Sequence, residues 1–210
     1  MLAELAAGVL AVHRPHPVRV AVDGVDGAGK TTLAEELGTL LTAAGRSVVR
    51  ASVDGFHQPR ADRYRRGRHD PDGFYLDSYG YDRFRAELLE PLGPGGSRRY
   101  RTAVFDHQTD RSVEKEQATA PADAVLVVDG IFLHRPELRD HWDHSILLLA
   151  DFTTTFARMA VRDGCPVDPA EVANRRYVLG QRHYLDRCRP AELADRVVRN
   201  DDLASPVLLR

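Results

Sequence analysis

Residues 24–31 read GVDGAGKT. The stretch fits G-x-x-x-x-G-K-[ST], and its surroundings are those the pattern needs. VRVAVDG, from Val18, reads as a strand before it, and a helix follows from about Lys30 to Ala44, stopped by Gly45. Gly24, Gly27 and Gly29 allow the backbone to wrap a phosphate, with Asp26 and Ala28 between them turning their N–H groups inward. The helix adds the positive end of its dipole. Lys30 is placed to reach the β- and γ-phosphates, Thr31 to offer its hydroxyl to Mg²⁺, and Thr32 to complete the same cradle. Among 29 lysines and arginines only Lys30 and Lys115 are lysines. A compact ammonium suits this nest better than a planar guanidinium. The alternative, a glycine-rich turn that binds nothing, is disfavoured by the full match in context. The expected ligand is a nucleoside triphosphate with Mg²⁺.

Strands and helices alternate outward from the loop. Leu2 to Val12 reads as an amphipathic helix ended by Pro15 and Pro17, and not as a signal peptide, for it lacks a basic leading region. SVVRASVD is a second strand. DAVLVVDG and HSILLLAD are short apolar runs of the kind buried on both faces of a sheet. TTTFARMAVRDG and PAEVANRRYVLGQRHYLDRC read as helices, and DRVVRND as a last short strand. YDRFRAELLEPL reads as a helix, RRYRTAVFD as one arm of a hairpin, and RPELRDHW as a surface helix with Trp142 packed on the core. GFHQPRADRYRRGRHDPDGFYLDSYG has no clean period, and an irregular segment of that length is functional or disordered; its aromatics favour function. The expected architecture is α/β with a mostly parallel sheet flanked by helices, a P-loop NTPase fold. A single domain over residues 1–210 is expected, with a flap at about 55–80, a hairpin region at about 97–118 and a lid at about 158–170.

Bulk composition narrows the function. A net charge of −2, with 43% hydrophobic and 29% charged residues, is that of an ordinary globular protein, not of a nucleic-acid binder driven by bulk charge. No apolar run approaches the ~20 residues of a membrane span. Two cysteines, Cys165 and Cys188, make no disulfide framework, and a reducing cytoplasm is the simple reading. The expected partner is a small molecule, without nucleic acid or membrane, and self-association into homo-oligomers stays open.

Ligands in open α/β sheets bind beyond the carboxyl ends of the strands. Asp23 and Asp26 stand at that edge by the loop. Asp129 ends the strand VLVVD and fits a carboxylate that holds Mg²⁺ directly or through water, with a plain strand-ending turn as the alternative. Asp54 ends the second strand. It can accept the proton of an acceptor hydroxyl, ligate Mg²⁺, or serve only the turn.

GVDGAGKT, VDGFHQPR, DPDGFY and VVDGIF together resemble the uridine kinase branch of the P-loop small-molecule kinases, with phosphoribulokinase and the bacterial P-loop pantothenate kinase as cousins. The likeness runs from about Val18 to Asp201. It implies transfer of the γ-phosphate of ATP to a hydroxyl, with a nucleoside as the expected acceptor. It implies Asp54 as the base, Phe56 and His57 near the acceptor, and Asp70, Asp72 and Phe74 around the acceptor's hydroxyls. Asp129 becomes the acidic metal residue. Arg158 and Arg162 become lid arginines closing on the phosphates, with Arg162 and Lys30 acting in catalysis beside Asp54. The pattern departs from uridine kinases at His69, where an aspartate is usual. In VFDHQTDR, His107 comes early for the base-reading histidine and Asp110 stands near its place. Arg176 occupies the position of a glutamine that reads the pyrimidine.

Other acceptors are compatible with these residues: a pantothenate-like molecule, a sugar or a sugar phosphate. Two other classes compete. A guanine-nucleotide switch needs N-K-x-D, and Lys115 sits in EKEQ, so that motif is absent. A nucleoside monophosphate kinase is favoured by the arginine-rich flap and disfavoured by Asp54, for a phosphate acceptor needs cations more than a base.

Overall fold

Alternation of side chains along short apolar strands gives the molecule two cores, one on each face of a sheet. In the computed structural model, which describes residues 1–210, helix α1 (Leu2–Leu10) precedes strand β1 (Val18–Gly24), and helix α2 (Lys30–Ala43) precedes β2 (Val48–Ser52). Short helices α3 (Arg60–Arg63), α4 (Pro71–Asp77) and α5 (Tyr81–Phe84) follow, the last continuing as a π-turn over Arg85–Leu89. Four minimal strands come next: β3 (Arg99–Tyr100), β4 (Phe105–Asp106), β5 (Arg111–Ser112) and β6 (Ala118–Thr119). They pair antiparallel as β3 with β6 and β4 with β5. The chain ends with β7 (Val125–Gly130), β8 (His144–Leu149), α6 (Phe152–Asp163), α7 (Arg175–Cys188), α8 (Pro190–Leu193), β9 (Arg196–Arg199) and β10 (Val207–Leu208).

The central sheet runs β10-β9-β8-β1-β7-β2. Every pairing is parallel except that of β10 with β9. Val18, Val20 and Val22 of β1 point to the face covered by Leu5 and Val9 of α1 and Leu33, Leu37 and Leu41 of α2. Ala21, Leu126 and Val128 point to the other, covered by Phe74, Phe84 and Tyr184. All seven residues of β1 and all six of β7 are buried, as strands covered on both faces require. No helix is long and apolar enough to cross a membrane.

Register fixes what stands at the carboxyl edge. Asp129 of β7 lies beside Val22 of β1 on one side and Ser52 of β2 on the other. The glycine loop follows β1 directly. Beyond β2 the chain makes a 3₁₀ turn over Val53–Phe56, with Ser52 Oγ accepting from Asp54 N at 3.3 Å. The loop, Asp129 and Asp54 therefore meet at one edge.

Four expectations need correction. The segment read as irregular contains α3 and α4. Asp70 caps α4 by accepting from Gly73 N at 2.6 Å, and Pro71 opens it, a start signal hidden in a Gly-, Asp- and Arg-rich composition. The helix read from Pro169 begins only at Arg175, because the Asn174 amide donates to Pro166 O and Asp168 O and holds the preceding residues in a turn. RPELRDHW forms only a 3₁₀ turn at Arg139–His141; Trp142 still packs inward, donating Nε1 to Leu133 O at 2.8 Å. The edge strand β10 was not foreseen in two residues of a short C-terminal tail.

Two contacts of α4 carry predictions. A Cβ on Gly180 of α7 would lie 2.8 Å from Phe74 Cδ1 and 2.9 Å from Pro71 O. Gly180→Ala is expected to cost about 1–3 kcal/mol through overpacking, lowering Tm by several degrees in a melt; an unchanged Tm would show that α4 can retreat freely. Asp77 is buried and paired with Arg65 at 2.6 Å and Arg66 at 2.8 Å. Burial raises its carboxyl, but the two guanidiniums outweigh burial and hold it below the ordinary carboxylate range. A depressed folded value means stability present above the unfolded pKa of about 3.9 and lost as pH falls through the lower folded value. Wild type is expected to lose stability relative to Asp77→Asn over that acid window in melts at stepped pH.

Candidate active site

The loop's shape comes from its glycines. Gly27 and Gly29 have φ of +73° and +94°, which other residues rarely adopt. A Cβ on Gly27 would lie 2.6 Å from Thr155 O, so the loop also rests directly on α6. Gly29 caps α2, whose first turn opens on a cavity of about 390 Å³ lined by Gly27, Lys30, Thr31, Thr32, Arg158 and Arg162, among others. Lys30 Nζ donates to Val25 O at 2.8 Å across the loop. Ala28 is buried, and its carbonyl accepts from Asn200 Nδ2 at 2.7 Å.

Thr31 Oγ1 donates to Asp129 Oδ2 at 2.9 Å. Two hard oxygens side by side, one a carboxylate, are the donor type Mg²⁺ takes alongside phosphate and water. The other oxygen, Asp129 Oδ1, meets Arg50 Nη2 at 2.8 Å, and Arg50 Nη1 donates to Val127 O at 2.6 Å. Arg50 was not among the sequence-read site residues; its outward position on the edge strand β2 gave no signal.

Asp54 is exposed and accepts from the Tyr79 hydroxyl at 3.0 Å. Burial raises the Tyr79 hydroxyl well above its ordinary pKa, and the Asp54 and Asp26 charges add to this, so Tyr79 remains a donor. His57 Nδ1 lies 2.9 Å from Asp54 O. The His57 ring stacks on His107 at 4.6 Å and contacts Tyr79 at 4.5 Å. Burial pushes the His57 imidazole down. Asp26 joins the two halves: burial raises its carboxyl, Lys30 lowers it, Asp54 raises it and Arg162 lowers it. Its backbone N–H donates to Gln181 Oε1 of α7 at 2.6 Å.

Behind the loop, Asp23 is fully buried. It accepts from Gly24 N at 2.7 Å, from the Tyr184 hydroxyl, and lies 2.7 Å from His134 Nδ1. Asp23 thus anchors the loop from below while α7 holds it from the side.

The remaining sequence-read residues fall in several places. Both lid arginines stand on α6. Arg162 faces the cavity and pairs with Asp163 at 2.7 Å. Arg158 also lines it, but its nitrogens donate to Gly27 O, Asn200 O and Asp201 O. Phe56 is buried against Phe84 with ring centroids 4.8 Å apart. Phe74 is buried between Phe132 and Tyr177. Asp70 caps α4, and Asp72 lies 3.0 Å from His183 of α7. Asp110 accepts from Arg60 N at 2.8 Å, tying the hairpin region to the flap. Arg176 is buried under the flap. Tyr79, Gln181 and Arg50 are the polar residues that sequence reading missed.

The profile of the phosphoribulokinase/uridine kinase family matches residues 19–165. A uridine kinase of Leuconostoc citreum is 27% identical over 70% of this chain and 69% of its own length. A thymidylate kinase of Xanthomonas campestris is 33% identical over 72% of this chain and 64% of its own length. Among solved structures, a possible uridine kinase from Bacillus stearothermophilus superposes with a TM-score of 0.74 at 23% identity, covering 93% of this chain and 96% of that one. A protein described as a candidate fructose transport system kinase from Silicibacter sp. TM1040 gives 0.71 at 27% identity, covering 90% and 95%.

Proposed function

The chain belongs to the phosphoribulokinase/uridine kinase family of P-loop kinases, and from that premise we propose that it transfers the γ-phosphate of ATP, with Mg²⁺, to a hydroxyl of a small acceptor at Asp54. The observation that carries this reading is geometric. The glycine loop, with Thr31 Oγ1 donating to Asp129 Oδ2 at 2.9 Å, opens on a cavity that Lys30 and Arg162 line. Asp54 follows β2, the neighbour of β7, at the same carboxyl edge of the sheet.

The residues divide the work. Loop amides from Gly27 to Thr32, with Lys30, bind and orient the phosphates. Thr31 and Asp129 would hold Mg²⁺, which when bound neutralises charge on the phosphates. Arg162 adds positive charge from the α6 side, and Arg158 braces the loop through Gly27 O. Tyr79 aims the Asp54 carboxylate. The acceptor oxygen bonds to the γ-phosphorus as the bond from phosphorus to the bridging oxygen breaks. ADP leaves with that electron pair, and the hydroxyl proton passes to Asp54.

The reaction rests on more of this geometry than the nucleoside acceptor does. A nucleoside is what the resemblance implies, and Arg176, standing where a glutamine would read the pyrimidine, departs from it. Arg176 spends its two terminal nitrogens on flap carbonyls. A phosphate acceptor, as in a nucleotide kinase, is the second reading, favoured by the arginine-rich flap and the thymidylate kinase likeness.

The test is ADP release with Mg·ATP in the presence of uridine, cytidine, pantothenate, simple sugars, D-glycerate and nucleoside monophosphates. Acceptor-dependent release with a new phosphomonoester in the ³¹P spectrum supports the proposal. A new phosphoanhydride selects the second reading, and no acceptor-dependent release overturns both.

A further inference from the structure

Three arginines are buried, and two of them meet a carboxylate: Arg19 pairs with Asp143 at 3.1 Å and Arg135 with Glu137 at 2.5 Å. Arg176, 4% exposed, does not. Its Nη1 donates to Arg68 O at 2.7 Å and its Nη2 to Arg63 O at 3.2 Å, while its buried Nε has no partner. Its guanidinium lies over Tyr64 at 4.6 Å and near Phe74 at 5.7 Å. Burial pushes its pKa down; Tyr64 and Tyr177 oppose this, Arg63 adds to it, and Asp70 opposes it more weakly. Asp70 is already occupied in capping α4. A buried cation without a counter-charge is costly unless something supplies one.

Arg176 borders a cavity of about 320 Å³ lined by Tyr64, Arg68, His69, Ala173, Arg176 and Tyr177, with no carboxylate in its wall. Its Tyr177 wall connects along α7 to the glycine loop. Gln181, one turn farther along α7, donates to Tyr177 O at 3.1 Å and accepts from Asp26 N at 2.6 Å. Four helical residues span about 6 Å, the length of a short carbon chain. The charge of Asp26 also reaches the Tyr177 hydroxyl.

We propose that this cavity is an anion subsite of the acceptor pocket: the acceptor carries a phosphate or carboxylate that sits against Arg176 and Arg68 while its hydroxyl faces Asp54. The inference rests on the phosphotransferase reading and narrows its acceptor class. Arg68, exposed on the rim, supplies a free guanidinium, and Arg176, held by the flap carbonyls, supplies the fixed charge behind it. Charge-assisted bonds of this kind are about twice as strong as neutral ones. His69 adds a ring nitrogen to the same wall.

The test has two arms. In the first, kcat/KM with Mg·ATP is measured for matched acceptors: glycerol and D-glycerate, fructose and fructose 6-phosphate, uridine and uridine 5′-monophosphate. The anionic member of at least one pair is expected to be favoured by about tenfold or more, with the new phosphate on a hydroxyl, and Arg68→Ala to shrink that preference by about tenfold, mainly through KM. In the second, inorganic sulfate is titrated into the Mg·ADP-loaded protein by calorimetry. Arg68→Ala and Arg176→Lys are each expected to weaken sulfate binding by about fivefold or more. The lysine variant keeps the charge, guarding against loss of the fold. Neutral acceptors used as well as anionic ones would overturn the subsite and leave the kinase reading standing. Sulfate binding equal in all three proteins would overturn it whatever the acceptors show. Absence of ADP release with every acceptor would count against the phosphotransferase reading, and the sulfate arm would still decide the subsite.

Discussion

Asp54→Asn is expected to lower kcat by about 10²–10⁴-fold, the usual contribution of a positioned general base, with little change in ATP affinity. The amide keeps the shape of the side chain and can still accept from the Tyr79 hydroxyl, as the carboxylate does at 3.0 Å. It cannot take up the hydroxyl proton. On the proposed reading the loop residues that hold ATP do not include Asp54, so a nucleotide titration separates the two effects. Tyr79→Phe should show a smaller loss of the same kind, because the base survives and only its aim is lost. Near-normal turnover in Asp54→Asn would remove Asp54 from the chemistry and leave it as a residue of the 3₁₀ turn.

A second large effect is expected at Asp129. Asp129→Asn should lower turnover by about 10²–10³-fold, several kcal/mol of charge stabilisation, and raise the Mg²⁺ concentration needed for half-maximal activity. The loss should be partly recovered at high Mg²⁺, a response that a folding defect would not give. The substitution also takes the counter-charge from Arg50, whose side chain is 28% exposed. Solvent screening limits that cost to about 1–2 kcal/mol, visible as a Tm lower by a few degrees. An unaltered Mg²⁺ dependence would assign Asp129 to the Arg50 ion pair alone.

The sheet and the phosphate loop could be read in advance because each is a local signal. The glycine pattern is contiguous, and β1, β7 and β8 are runs of buried apolar residues. Asp129 was legible for the same reason, since it stands near the end of such a run, and Asp54 because it follows the strand-forming residues of β2. What escaped was everything set by distant packing. Tyr79 reaches Asp54 from 25 residues away, and Gln181 reaches Asp26 from 155. No period or spacing encodes those meetings; they follow from how α7 and the flap lie on the sheet. The acidic residues of DPDGFY show the converse. Their charge was plain, but a carboxylate that caps a helix and one beside a histidine look alike in a sequence. Arg176 stands out in the sequence as an arginine where a glutamine is usual, yet its lack of a counter-ion is visible only in three dimensions.

Gln181 and Tyr184 stand three residues apart on α7 and both fasten the strand-to-loop hinge, one at the amide of Asp26 and one at the carboxylate of Asp23. Neighbours at that spacing share one side of a helix. Tilting α7 as a rigid rod therefore strains both fastenings at once. Any adjustment of the acceptor wall must come from side chains or from the flap, with the rod itself serving as a fixed reference for the phosphate loop.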